Sequence, residues 1–142
     1  MTTDQDQLPP MRAIAEDQPP FANFFGLRIV SATPELLEAE FSVTPAMANR
    51  NGVLHGGAMS AICDNMGGSA TFMTLAPGTA TTTIEAKTNF FRPVAIGETA
   101  TVRTIALHRG RRTAVWQSTI YRADGKVAAI SVQTQMIMQQ GT

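Results

Sequence analysis

One cysteine, two histidines and no surplus of either charge deny this 142-residue chain several common routes to function. Cys63 alone cannot close an internal disulfide, and so few thiols and imidazoles make no set with zinc-ligand spacing. Eleven Lys+Arg against 11 Asp+Glu give a formal net charge of zero, whereas a general nucleic-acid binder carries a basic excess. Charged residues make up only 15%, below the roughly 25% usual in soluble domains, which fits a surface partly covered by another subunit. No apolar run reaches the about 20 residues that a membrane helix needs. Met1 to Pro10 is acidic and polar where a secretory leader is basic and then apolar. The expectation is a cytoplasmic domain without metal or cofactor, with no nucleic-acid or membrane partner.

With 44% hydrophobic residues the chain can build the core of one domain. Residues 1–20 read as an N-terminal arm, flexible or carrying a short helix from Met11 to Glu16 that Pro19-Pro20 stops. Residues 21–142 read as the domain. Phe21, Phe24 and Phe25 form an apolar cluster expected to pack on its body. Leu27 to Thr33 and Leu36 to Thr44 are predicted strands around a Pro34-Glu35 turn. The second alternates Leu37, Ala39, Phe41 and Val43 against Glu38, Glu40, Ser42 and Thr44. A helix follows from about Gly56 to Leu75, with Met59, Ile62, Cys63, Met66, Ala70 and Met73 as its apolar stripe. Ser60, Asp64 and Thr71 share a face largely opposite that stripe. Gly67-Gly68 inside this helix is costly and predicts a close backbone approach. Four more strands are predicted: Thr81 to Phe91, Glu98 to Leu107, Arg112 to Arg122 and Lys126 to Met138. Ala123-Asp124-Gly125 marks a hairpin between the last two. One helix among so many strands is best buried by a curved antiparallel sheet of five to six strands wrapped around it, an α+β hotdog fold.

The stretch Asn49-Arg50-Asn51-Gly52-Val53-Leu54-His55-Gly56-Gly57, with Cys63-Asp64-Asn65 after it, is the most informative. It resembles the PaaI-like acyl-CoA thioesterases of the hotdog superfamily: an Asn, a Gly, His-Gly-Gly, then an acidic residue on the following helix. The likeness continues through Thr83 to Phe91, Arg92-Pro93, Gly97-Glu98 and Gly110-Arg111. It implies hydrolysis of acyl-CoA to free acid and coenzyme A. Such chemistry needs a polarised carbonyl, and a helix N-terminus offers unpaired N–H groups and a positive dipole end. The Gly56 N–H is the candidate oxyanion donor. Gly57 suits helix–sheet packing or a close approach of substrate. Asp64 is the candidate general base or nucleophile, although a helical Asp can simply be solvated.

His55 is assigned by the resemblance to orienting the loop or thioester, beside the plainer reading of a structural hydrogen-bonder. Asn49 either bonds its own turn or, by resemblance, holds water or the carbonyl. Thr83 is placed by the resemblance beside Asp64, and is otherwise an ordinary strand threonine. Arg109, Arg111 and Arg112, with Arg92, are candidate contacts for the phosphates of coenzyme A, or a solvated basic turn. Cys63 lies on the apolar stripe without a catalytic partner, which argues against a thiol nucleophile. Nine helical residues from His55 to Asp64 advance roughly 13–14 Å and turn to nearly the opposite side. One subunit therefore cannot bring both to one carbonyl, and a homo-oligomer sharing its sites can. Two alternatives remain: a non-catalytic acyl-CoA or fatty-acid binder, which would have no need of Asp64, and a hotdog hydratase or dehydratase.

Overall fold

A computed structural model describes residues 11–140. The arm expected over Met1 to Pro10 lies outside the described residues. Residues 11–16 are helical, and this segment packs on the body: Ala15 within it is buried, and Gln18 just after it bonds to Asn65.

The strands are β1 Arg28–Thr33, β2 Leu36–Ser42, β3 Thr79–Phe90, β4 Thr99–Arg109, β5 Thr113–Tyr121 and β6 Val127–Gln139. They form one sheet in the order β1-β2-β4-β5-β6-β3, antiparallel throughout. The central helix, Gly56–Phe72, packs against β2 to β6. This is the hotdog arrangement, with every predicted strand and the helix in place.

Alternation decides β2. Leu37, Ala39, Phe41 and Val43 are buried, while Glu38, Glu40 and Ser42 are only partly so. Each large side chain so buried contributes about 1.5–3 kcal/mol. The helix holds four glycines, at 56, 57, 67 and 68, so its stability comes from packing more than from propensity. Its stripe of Met59, Ile62, Cys63, Met66, Ala70 and Met73 is buried as expected. The Ala123-Asp124-Gly125 turn closes with Gly125 at φ 83°, a backbone conformation that glycine adopts without steric penalty.

Two expectations need correction. The face carrying Thr71 is not open to water there: Thr71 is buried and accepts from Trp116 Nε1 at 2.9 Å, because the sheet wraps past the apolar stripe. Of the phenylalanine cluster only Phe25 is buried. Phe21 and Phe24 stand edge-on to it with 64% and 52% of their surface exposed.

Candidate active site

Asp64 lies midway along the central helix with its carboxylate exposed, over the β3–β6 edge of the sheet. Thr83 Oγ1 of β3 donates to Asp64 Oδ1 at 2.7 Å. A bulge in the β3–β6 pairing falls immediately after Thr83, a device that re-aims side chains beside functional sites. Across from Thr83 stands Gln135, whose Nε2 donates to Thr83 Oγ1 at 2.5 Å. Thr81 Oγ1 donates to Gln135 Oε1 at 2.9 Å, and the Gln135 amide also donates to Gln133 Oε1. Gln133 Nε2 in turn reaches the Cys63 carbonyl at 2.8 Å. Both glutamines are at most 2% exposed.

This network fixes directions. A threonine hydroxyl has one proton, and with its oxygen accepting from Gln135 that proton goes to Asp64 at 2.7 Å in preference to Gln133 Oε1 at 3.5 Å. Gln133 needs room to reach the helix backbone, and Gly67 supplies it: a Cβ there would overlap the Gln133 amide. The predicted close approach is found at Gly67. It is not found at Gly68, where a Cβ meets nothing within 4 Å.

The helix N-terminus is built separately. His55 is the N-cap, and its Nδ1 accepts from the Gly57 N–H at 2.7 Å, leaving the ring's N–H at Nε2. Gly57 is exposed, so it does not serve helix–sheet packing; the imidazole folds back over the space a side chain would take. The Gly56 N–H, first in the helix, precedes the intrahelical ladder and points out of it. Asn49 Oδ1 accepts from the N–H groups of Asn51 and Val53, at 2.9 and 3.3 Å, holding the loop that leads to the cap. Asn49, Gly56 and Arg92 line one cleft together with Phe90 and Phe91. Asp64 and Thr83 line another.

The arginines do not converge. Arg92 donates to the Val127 carbonyl at 2.8 Å, and Arg109 pairs with Glu35 at 3.3 Å. Arg111 and Arg112 border a third cleft beside residues 74–76, past the C-terminal end of the helix. Cys63 is fully buried. Burial, and after it the charge of Asp64, pushes its thiol up from 9.0 to about 12, which removes it as a nucleophile. Among the described residues, no three His, Cys, Asp or Glu side chains cluster in a way that could hold a metal ion. No helix of these residues is long and apolar enough to cross a membrane.

The sequence profile of the Thioesterase superfamily matches residues 51–129, which includes His55, Asp64 and Thr83 and begins just after Asn49. The chain belongs to this superfamily. The proofreading thioesterase EntH of Cronobacter turicensis is 29% identical over 115 residues, covering 80% of this chain and 82% of its own. The E. coli PaaI protein from the phenylacetic acid degradation operon superposes with a TM-score of 0.81 at 23% identity, covering 91% of each chain. A Streptococcus mutans protein crystallised with acetyl-CoA superposes at 0.74 with 22% identity, covering 82% of this chain and 91% of that one. The last two establish the common fold.

Within this thioesterase-superfamily fold the sequence reading missed Gln133, Gln135 and Gln18. The signal for the first two was available. Ser131, Gln133 and Gln135 recur at the strand period of two, and all three point inward, while Ile130, Val132 and Met136 face out, partly or fully exposed.

Proposed function

We propose that this protein hydrolyses acyl-CoA thioesters to the free acid and coenzyme A, without metal or cofactor, as a homo-oligomer with shared sites. One observation carries the reading: Thr83 holds the Asp64 carboxylate in the lining of one cavity, while Gly56 lines a different cleft of the same chain. The eight residue steps from Gly56 to Asp64 advance about 12 Å along the helix, too far for both to touch one carbonyl. A second copy resolves this. β3 pairs with β6 on one side and with no described strand on the other, and its twelve-residue edge exposes Ile84, with Phe90 and Phe91 at its end. So long an unpaired edge, with Ile84 and Phe90 exposed beside Glu85 and Lys87, leaves a row of backbone groups free to pair with another strand. A two-fold axis at that edge carries the Gly56 end of one subunit towards Asp64 of its partner.

In this site Asp64 acts as general base. One oxygen is held by Thr83, and the other takes a proton from water as that water attacks the thioester carbonyl. The oxyanion forms against the partner subunit's Gly56 N–H, with His55 and Asn49 holding the loop that presents it. Collapse breaks the C–S bond, and the thiolate of coenzyme A leaves and takes up a proton. Arg92, an exposed cation in the cleft that holds Gly56, serves the phosphates, and Arg111 and Arg112 border a separate cleft at the other end of the helix. Arg109 is largely engaged by Glu35. The superfamily assignment and the acetyl-CoA held by a neighbour of the same fold support this substrate class.

The test is hydrolysis of an acyl-CoA panel by wild type and Asp64→Asn. A loss of at least about a hundredfold in kcat, the scale of a missing general base, is expected, with coenzyme A still bound. Near-normal turnover by the variant would remove Asp64 from the chemistry. In heavy-oxygen water under single turnover, the label should enter the product acid and not Asp64. Label in Asp64 would make it the nucleophile.

A further inference from the structure

Asp64, Gly68 and Phe72 follow one another at four-residue spacing, so they lie on one face of the central helix. Beside them, bounded by Thr81–Thr83 of β3 and by residues 17–20, is a cavity of about 520 Å³ that Asp64 also lines. Gly68 lines it. Glycine is the least favourable helix residue short of proline, and at Gly67 the reason for it is the Gln133 side chain. At Gly68 no neighbour claims the space, and the empty volume is the cavity itself.

The segment of residues 17–20 is fastened to the helix. Gln18 Oε1 accepts from Asn65 Nδ2 at 2.7 Å and from Ser69 Oγ at 3.3 Å, and its amide donates to the Ala15 carbonyl. These polar groups satisfy one another; the apolar part of the lining is Pro19, Pro20 and Phe72, with Asp17 and Thr81–Thr83 beside it. At the far end Phe72 and Asp17 also line a neighbouring cavity that reaches Pro77 and Gly78, so they form the partition between the two.

We infer that this cavity receives the acyl group, that Gly68 is the specificity-determining position that opens it, and that the substrate is a medium-length acyl chain ending on the Phe72 ring. The inference rests on the thioesterase reading above. From Asp64 to Phe72 the helix advances about 12 Å. An acetyl group leaves most of that length to water. A medium chain displaces the water from apolar walls, which is favourable. A long chain must force the partition at Phe72 and Asp17.

The experiment compares acetyl-, octanoyl- and palmitoyl-CoA as substrates for wild type, Gly68→Leu, Gly68→Ala and Phe72→Ala, with melting temperatures for each. Wild type should prefer octanoyl-CoA to both others. Gly68→Leu should lower the octanoyl-to-acetyl ratio of kcat/KM at least about tenfold, with Gly68→Ala in the same direction, since pocket contacts discriminate on that scale. Phe72→Ala, half-exposed and safe for folding, should raise the palmitoyl-to-octanoyl ratio. Ratios unchanged in all three variants would overturn the inference. Octanoate binding by calorimetry separates it from the reading beneath it. If wild type hydrolyses no thioester but binds octanoate, and Gly68→Leu does not, the cavity assignment stands and the thioesterase reading fails. Equal binding by a folded Gly68→Leu would overturn the cavity assignment whatever the activity.

Discussion

Thr83 gives its only proton to Asp64 Oδ1 while its oxygen is held by Gln135 Nε2, so a buried amide on β6 decides which way a hydroxyl at the candidate site points. Removing the amide frees Thr83 to rotate and leaves the carboxylate without its partner. Gln135→Met is expected to lower kcat about tenfold while KM changes little, the pattern of a lost transition-state arrangement. Thr83→Val should cost at least as much. The double variant should be no worse than Thr83→Val alone, because both act through one chain of bonds. Additive losses in kcat would show that the two residues act independently.

The adjacent helical glycines should respond to alanine with opposite signs. Gly67→Ala drives a methyl into the Gln133 amide, and overpacking of this kind destabilises by about 1–3 kcal/mol. Gly68→Ala meets open space and should stabilise by up to about 1 kcal/mol through helix propensity. Urea unfolding of the two variants checks this. A shared sign would mean that the Gln133 contact does not govern the position.

Cys63 offers a pH test. Its thiol stays protonated in the native state up to about 12, whereas an exposed thiol ionises near 9.0. Between those values the unfolded chain binds fewer protons than the native one, so this group's contribution to stability is complete below pH 9 and falls as pH rises towards 12. Cys63→Ala should flatten that part of the stability curve. Native protein should also resist iodoacetamide at pH 8 and react once unfolded. Rapid alkylation of the native state would contradict the burial.

Shared sites predict complementation. Asp64→Asn in one chain and an inactivating change at Asn49 or His55 in the other should give two dead parents. In a mixed dimer one site collects both lesions and the other collects neither. Purified with two tags, it should show about half of wild-type activity, and random co-expression about a quarter. A mixed dimer as inactive as its parents would confine the site to one chain.

Most of the fold was legible because turn chemistry and period agree along the chain. Pro34-Glu35 and Ala123-Asp124-Gly125 sit where the chain reverses, and the Met59-to-Met73 stripe is the buried side of the helix. The contact of Asp64 with Thr83 was also anticipated, through a likeness between motifs. Gln133 and Gln135 escaped because β6 inverts the usual rule and turns its polar alternate inward, where the amides satisfy one another and the helix backbone. Gln18 reaches Asn65 across 47 residues, a separation that no local pattern encodes. His55 capping its own helix had no signal beyond an imidazole standing two residues before a glycine.

The exposed length of β3 carries a further consequence. If turnover depends on the pairing of two such edges, the contact that creates the catalytic centre is also the one that covers an open row of backbone donors and acceptors. A substitution that loosens it would extinguish activity and invite fibrous association at once. Selection for catalysis would then guard solubility as well, and specific activity would decline on dilution before any loss of folded protein.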